Sequence, residues 1–206
     1  MMLWLAAACL VAGAWCLKID RQTAAYLREH LHTPPLQFAW RITNWAKGLP
    51  WIIASFVLYA GVEAAIAVYG TTPLLRQTAD YALALLLSFA AASVVLHGIK
   101  IFLGRRRPRD DYEHGLYGFR YFTWELQYDS FPSGHAMTIF CVAVVLCAIV
   151  PALSALWLLL AGGLASTRVL MTAHFASDVL VGAAVGILVT REMMLTVFPG
   201  LTPGWF

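Results

Sequence analysis

Three short groups of polar residues interrupt a chain that is otherwise strongly apolar. They occupy residues 100–108, 131–135 and 168–178 and contain lysine, arginine, histidine, serine and aspartate. Ionisable residues within or beside apolar segments are costly to retain, and they usually mark a functional site. The chemistry of the chain is therefore expected in these three groups.

Five residues of these groups are suited to binding a phosphate group. Lys100, Arg107 and Arg168 bring three cations, and the fork of an arginine matches two phosphate oxygens. Ser133 and Gly134 begin an apolar segment, where the unpaired N–H groups and the positive dipole end of a helix favour an anion. Gly134 has no Cβ, so its backbone can approach a ligand closely.

The two histidines and the aspartate supply reactive groups. His174 and Asp178 are four residues apart, which places them on one face of a helix. Asp178 can then accept the proton of His174 Nδ1 and leave Nε2 as a nucleophile. His135 belongs to another group and is free to protonate a leaving oxygen as a general acid. These residue types predict phosphoryl transfer.

Each residue also has a simpler explanation. Lys100 can extend from a helix end towards water, and residues 105–107 can anchor the chain at a membrane surface. His135 and Asp178 can each stabilise the start of a helix. The joint pattern favours a single anion site, because so many boundary charges suited to one anion are unexpected by chance.

The composition places these residues in a membrane protein. The chain has 206 residues, of which 61% are hydrophobic and 12% charged, whereas soluble domains contain about 45–50% and about 25%. We expect one all-α membrane domain over residues 1–206. Segments of about 20 apolar residues predict a bundle of six transmembrane helices, at about 1–17, 50–69, 81–102, 134–150, 152–171 and 175–197. The first segment is expected to be a retained span, with a cleaved signal peptide as the alternative.

The segments between spans predict two further features. Residues 18–48 alternate charged and aromatic side chains, which is typical of amphipathic helices lying in the membrane interface. His30 and His32 lie there, and a surface pair is favoured over a metal site. Residues 103–133 are rich in aromatics and carry opposing charges, so a folded polar loop is expected. The small residues at 182–186 predict a close helix contact.

The order of the spans allows the three groups to meet. The first two groups lie at the two ends of the loop 103–133 and hence on one membrane face. The chain then crosses twice and returns to that face at residues 168–178. All three groups can therefore lie at one depth.

The three groups resemble the signature of the type 2 phosphatidic acid phosphatase superfamily, which also includes vanadium haloperoxidases and glucose-6-phosphatase. Residues 100–108 match K-x6-R-P, and residues 132–135 match P-S-G-H. Residues 167–178 match S-R-x5-H-x3-D, with Thr167 in place of the serine. Threonine keeps the hydroxyl, but a role for that hydroxyl is left open.

The resemblance implies a six-helix membrane fold and a phosphohistidine intermediate on His174, with His135 protonating the leaving group. It implies that Lys100, Arg107, Ser133, Gly134 and Arg168 hold the phosphate. No metal or other cofactor is expected, because the cations replace a metal electrostatically. Membrane members of the bacterial type act on lipid phosphates or polyprenyl diphosphates at the outer face of the inner membrane.

The expected location is therefore a multi-pass protein of the bacterial inner membrane whose active site faces the periplasm. The positive-inside rule opposes this orientation, because most basic residues lie on the active-site side. The family orientation is preferred, since several of these cations are assigned to phosphate and five acids offset the charge of the loop 103–133.

The sequence leaves the substrate and two other functions open. Phosphatidylglycerol phosphate, phosphatidate, undecaprenyl diphosphate and lipid A 1-phosphate all fit as a lipid phosphate substrate. A catalytically silent lipid-binding relative is disfavoured, because both histidines and Asp178 are present. A membrane carrier built on Glu63 is disfavoured, since one acid makes a poor pathway. The net charge of +3 gives no reason to expect nucleic acid binding, and the oligomeric state stays open.

Overall fold

The computed structural model of the protein describes residues 1–31 and 33–206. In these ranges the chain is mainly helical. The α-helices are α1 Met2–Cys16, α2 Asp20–Glu29, α3 Pro34–Ile42, α4 Gly48–Tyr69, α5 Pro73–Phe102, α6 Pro108–His114, α7 Gly134–Ile149, α8 Ser154–Leu170 and α9 Ala176–Val197. Single 3₁₀ turns lie at Thr43–Ala46, Leu126–Tyr128, Pro151–Leu153 and Pro199–Leu201. His32 lies outside the described residues, so the possible pairing of His30 and His32 is not addressed.

Four helices are long and apolar enough to cross a membrane. They are Gly48–Tyr69, Pro73–Phe102, Pro151–Leu170 and Ala176–Val197, the third of which includes the 3₁₀ turn before α8. Helices α1 and α2 meet the criterion only as a pair, and the chain bends by 79° between them. Helix α7 has 16 residues and is shorter than a typical span. Length and composition thus support four of the six predicted spans directly.

Helix α7 forms the centre of the bundle. Nearly all its side chains are buried, because it packs against α5, α8 and α9. A helix that is apolar on every side is expected to be enclosed by others. Helix α4 differs, since Ser55 is its only buried residue and large apolar side chains such as Phe56 and Val57 are exposed. Such an outward apolar surface is suited to lipid.

Helix α5 begins at Pro73 and not at the predicted residue 81. The Thr72 hydroxyl accepts the N–H of Leu75 at 3.2 Å, and proline occupies the first helical position. Glu63 and Asp80 both pair with Arg76 next to this turn, at 3.1 and 2.7 Å. An ion pair at the end of the α4–α5 hairpin therefore accounts for the acid in the second predicted span.

Residues 103–133 fold into a small cap beside the helix ends. Strand β1 (Leu103–Arg105) pairs with strand β2 (Phe119–Tyr121) in antiparallel fashion, with Gly104 opposite Arg120. Helix α6 lies between them in the chain and ends at His114, and the following Gly115 has a φ of 66°, which favours glycine. The strands, which the all-α prediction did not include, fix the direction in which the arginines of this segment point.

The start of α7 is pressed against α9 at two glycines. A Cβ on Gly182 would lie 2.3 Å from the carbonyl oxygen of Ser133, and one on Gly186 would lie 2.5 Å from that of Met137. The predicted close contact of residues 182–186 is therefore confirmed. It sets the distance between the second and third polar groups.

Candidate active site

The structure brings the three polar groups together at one end of the bundle. Lys100 lies in the last turn of α5, Arg107 precedes α6, His135 lies in the first turn of α7, and Arg168 lies in the last turn of α8. His174 lies in the turn between α8 and α9. The charges of Arg107 and Arg168 act on both histidine rings and on each other, which places these four side chains within electrostatic range.

The hydrogen bonds of His174 define its tautomer. The ring is buried, and Nδ1 lies 2.9 Å from the backbone carbonyl oxygen of Ser130. Because a carbonyl only accepts hydrogen bonds, Nδ1 must carry the proton, and the neutral ring then has its lone pair on Nε2. The tautomer required of a nucleophile is therefore held by the backbone.

Asp178 supports His174 less directly than predicted. Its Oδ2 lies 3.7 Å from Nδ1 of His174, beyond hydrogen-bonding distance. The same oxygen accepts the Ser130 hydroxyl at 2.6 Å and the Phe175 N–H at 2.9 Å. Its partner, Oδ1, accepts Arg105 at 2.6 Å. With these donors in place, the carboxylate acts on the ring through its charge.

Burial affects the protonation of the nucleophile candidate. His174 lies between α8 and α9 and is 4% exposed. Burial lowers the pKa of its imidazole below the ordinary value, and the opposing influence of Asp178 does not restore it. The ring is consequently unprotonated at neutral pH.

The cations that were predicted to bind phosphate have different partners in the structure. Arg107 makes a bidentate pair with Asp129 at 2.8 and 2.9 Å, and Lys100 donates to the Asp129 backbone carbonyl. Arg168 donates to the Thr43 hydroxyl at 3.2 Å, while its buried Nε has no hydrogen-bond partner in the described part of the chain. The arginine thus keeps a donor for a ligand.

The start of α7 presents further unused donors. The Ser133 hydroxyl is buried and has no hydrogen-bond partner among residues 1–31 and 33–206. The Ser133 N–H is already used, since it bonds to the Asp178 carbonyl at 2.9 Å and joins α7 to α9. In the same ranges no acceptor is found for the N–H groups of Gly134 and His135, as expected at a helix start. Buried donors without acceptors suit an anionic ligand.

The hydroxyl of Thr167 has a structural contact. It donates to the Leu164 carbonyl at 2.6 Å and lies 3.0 Å from the Thr43 hydroxyl, which in turn accepts Arg168. Thr167 therefore helps to position Arg168 through Thr43. No group of three or more histidine, cysteine, aspartate or glutamate side chains suited to a metal ion occurs in the part of the chain that the structure covers.

Comparison with known proteins places this geometry in a family. A model of the PAP2 superfamily matches residues 81–200, more than half of the chain. The protein belongs to the PAP2 superfamily. The matched region contains all three polar groups, and the resemblance to the type 2 phosphatidic acid phosphatases is confirmed.

Two curated PAP2 relatives are similar over part of their length. They are proteins named lipid A 1-phosphatase from Rhizobium etli and Rhizobium johnstonii, each 32% identical to this chain over 122 residues. The match covers 55% of this chain and 53% and 50% of the relatives, so the chain matches about half of their length. The crystal structure of Aquifex aeolicus LpxE shares the fold, with a TM-score of 0.57 and 20% identity over 86% of this chain and 95% of that one.

The sequence analysis missed two important residues of this PAP2 site. Arg105 is fully buried and bonds to Asp178 at 2.6 Å, to Ser177 at 2.7 Å and to Asp20 at 2.9 Å. Its guanidinium also lies 4.1 Å from the centroid of the Phe175 ring. A buried arginine between two carboxylates fixes the position of both.

Asp20 lies outside the region that the family model matches. Its side chain is fully buried at the start of α2, and its Oδ1 accepts the Ser177 N–H at 3.1 Å. The other oxygen accepts both Arg105 and the Ser177 hydroxyl. Asp20 therefore ties the N-terminal helix pair to the first turn of α9. The only indication of this role in the sequence was that Asp20 is an acid following an apolar segment.

Proposed function

We propose that the protein is a metal-independent phosphatase that hydrolyses a phosphomonoester or diphosphate headgroup of a membrane lipid through a phosphohistidine on His174. The observation that carries this proposal is the bond from His174 Nδ1 to the Ser130 carbonyl. This bond leaves Nε2 unprotonated, and the charges of Arg107 and Arg168 act on the ring. An unprotonated nitrogen near two arginines is suited to attack on a phosphate.

The reaction divides into two displacements at phosphorus. In the first, Nε2 of His174 forms a bond to phosphorus while the bond to the lipid oxygen breaks, and His135 donates its proton to that oxygen. In the second, water attacks the phosphorus, the P–N bond breaks, and His135 recovers a proton from the water. Lys100, Arg107 and Arg168 offset the charge on the transferred oxygens throughout.

Lipid A 1-phosphate is the first substrate to test, because two relatives carry the name lipid A 1-phosphatase. Phosphatidylglycerol phosphate, phosphatidate and undecaprenyl diphosphate complete the panel, since each presents phosphate at the membrane surface.

For the membrane arrangement, α1, α4, α5, α7, α8 and α9 are taken to cross and α2 and α3 to lie in the interface. Contacts at both ends of the bundle support this. Asp20 bonds to Ser177 near the end of α1 and the start of α9, whereas the Met1 amine donates to the Trp205 carbonyl at 3.0 Å. Both termini thus lie away from the site. With the site facing the periplasm of a bacterial inner membrane, the termini are cytoplasmic, and a reporter fused after Phe206 that proved extracytoplasmic would reverse this orientation.

The proposal is tested by measuring inorganic phosphate released from the four lipids by the purified protein in detergent. His174→Ala should abolish release, and His97→Ala is the matched control because its exposed ring bonds to the Ser93 carbonyl of its own helix. Rapid quenching with radiolabelled substrate should trap an acid-labile phosphoprotein in the wild type. EDTA should not reduce activity. Substantial release by His174→Ala would refute the nucleophile, and no release by the wild type would favour a silent lipid-binding relative.

A further inference from the structure

A cavity lies next to the proposed phosphate site. Its volume is about 400 Å³, at the lower end of the roughly 300–1,000 Å³ found for small-molecule sites. Its walls come from three parts of the chain that are distant in sequence: the end of α2, helix α6, and the turn that leads to the nucleophile candidate. The residues that matter here are Arg28, Arg107, Arg109, Tyr112, Thr172 and Ala173.

The cavity is continuous with the catalytic end of the bundle. Arg107 lines it and also acts electrostatically on His135 and His174. Ala173, which directly precedes His174, forms part of the opposite wall. A headgroup whose scissile phosphate lies at His174 can therefore extend into this space.

The carboxylates near this cavity are already paired with arginines, and one of these arginines, Arg107, also lines the wall. The ion pairs are Arg21–Asp111, Arg106–Asp110 and Arg107–Asp129, at 2.8, 3.9 and 2.8 Å. Within the described chain, the Arg109 side chain makes no hydrogen bond or ion pair, and the Arg28 guanidinium, which makes none either, lies over the ring of Tyr112. Two arginines on this wall therefore lack an anion.

Among the described residues, Glu113 is the one acid in the cavity wall, and its carboxylate lies 3.9 Å from Nε2 of His114. Because Arg107 is already paired with Asp129, Arg28 and Arg109 against Glu113 leave the lining with an excess of one positive charge. Such an excess attracts an anion of the substrate and opposes a neutral headgroup of the same size.

The position of Arg28 is set before any ligand arrives. Its guanidinium lies 4.7 Å from the centroid of the Tyr112 ring, within the range of a cation–π contact. The Tyr112 hydroxyl donates to the Ala24 carbonyl at 3.0 Å, which ties α6 to α2. Thr172, across the cavity, has a φ of 51°, a conformation that costs energy for a β-branched residue and that is common at binding sites.

We infer that this cavity binds a second anionic group of the lipid headgroup, held by Arg28 and Arg109, while the scissile phosphate occupies the site at His174. This inference rests on the proposed phosphatase function and narrows its substrate class. It favours lipids that carry two anionic groups over phosphatidate, which has only the scissile phosphate. The second anion can be a phosphate on the far side of a sugar headgroup, an adjacent phosphate of a diphosphate, or a phosphodiester.

The test compares kcat/KM on lipids with and without the second anion. The lipids with it are bis-phosphorylated lipid A, undecaprenyl diphosphate and phosphatidylglycerol phosphate, and phosphatidate is the reference. For Arg28→Gln and Arg109→Gln the ratio of kcat/KM for the preferred lipid to that for phosphatidate should fall about tenfold each, as expected for loss of a charge-assisted hydrogen bond at an exposed site. Arg120→Gln, an exposed arginine of the same cap that pairs with Glu125, should leave the ratio unchanged.

The outcomes separate this inference from the proposed function. The lipid on which the ratio falls identifies the source of the second anion. An active wild type that prefers phosphatidate, or variants that keep the wild-type ratio, would overturn the inference and leave the phosphatase function standing. A wild type that releases no phosphate from any of the four lipids would refute the function itself.

Discussion

The variant Asp178→Asn distinguishes two ways in which a carboxylate can assist a neighbouring histidine. One is to hold the proton on Nδ1, and the other is to stabilise positive charge on the ring. In this structure the Ser130 carbonyl lies 2.9 Å from Nδ1 of His174 and the Asp178 carboxylate lies 3.7 Å away. Since the carbonyl remains in the variant, we expect the tautomer to survive and only the charge stabilisation to be lost.

The expected loss follows from the charges around Asp178. Opposite unit charges about 4 Å apart interact by about 4 kcal/mol at an effective dielectric constant of about 20. In a loose phosphoryl-transfer transition state the ring gains only part of a unit charge, so roughly half of this interaction applies to the barrier. About 2 kcal/mol remains, which corresponds to a decrease in kcat of about 30-fold. Where a carboxylate alone sets the tautomer, as in the serine protease triad, the corresponding substitution costs about 10⁴-fold.

The assay is the initial rate of phosphate release at saturating lipid, divided by the folded fraction of each preparation. This correction is needed because disrupting a buried ion pair costs about 3–5 kcal/mol of folding stability, although Arg105 keeps its contact with Asp20. Ser130→Ala is the matched control, because it removes the hydroxyl bonded to Asp178 and keeps the carbonyl. It should change kcat only a few-fold.

Two results would refute this reasoning. A decrease near 10⁴-fold in Asp178→Asn would mean that the carboxylate, and not the carbonyl of Ser130, holds the proton of His174. An unchanged kcat would mean that the carboxylate gives the ring no useful charge stabilisation.

Two further predictions concern pH and helix packing. Burial lowers the pKa of His174 below 6.5, so the acid limb of kcat/KM should lie below pH 6.5. The folding stability should also fall as the pH drops through 6.5, because the unfolded chain then binds a proton that the folded ring resists. An acid limb at or above pH 6.5 would contradict this. Gly182→Ala places a Cβ 2.3 Å from the Ser133 carbonyl oxygen, and overpacking of about 1–3 kcal/mol should lower Tm by roughly 2–12 °C. Gly162→Ala, with no atom within 4 Å of its new Cβ, is the control, and an equal Tm for the two variants would show that the close contact is unimportant.

The sequence predicted which polar residues lie at one end of the bundle better than it predicted the contacts between them. Lys100, His135 and Arg168 were placed at one end because spans of known order border one loop, and the structure has them there. Because the thickness of the bilayer sets the length of each span, the order of the spans determines which residues reach the same membrane face. The close contact at Gly182 was also predictable from the sequence, because small residues at helical spacing are typical of closely packed helices.

The network behind the nucleophile candidate was not predictable in the same way. Arg105 was assigned no role in the site, and membrane anchoring was only the simpler alternative for residues 105–107, because nothing in its sequence neighbours shows that a three-residue strand buries it. The contacts of Asp20 depend on the 79° bend between α1 and α2, and no proline or glycine in the connecting residues indicates this bend. The hydrogen bond from His174 Nδ1 to the Ser130 carbonyl involves a backbone oxygen, so no residue type in the sequence indicates it. These contacts join segments far apart in sequence, and only the packed chain reveals them.

The pairing of Arg107 with Asp129 has a consequence for turnover. Both side chains are more than one-third exposed, and an ion pair of this kind contributes only about 0.2–1 kcal/mol. In the proposed reaction, an incoming phosphate can therefore displace the carboxylate at little cost, and the carboxylate can return as inorganic phosphate departs. The guanidinium of Arg107 then exchanges one anion for another, which disfavours inhibition by the released phosphate.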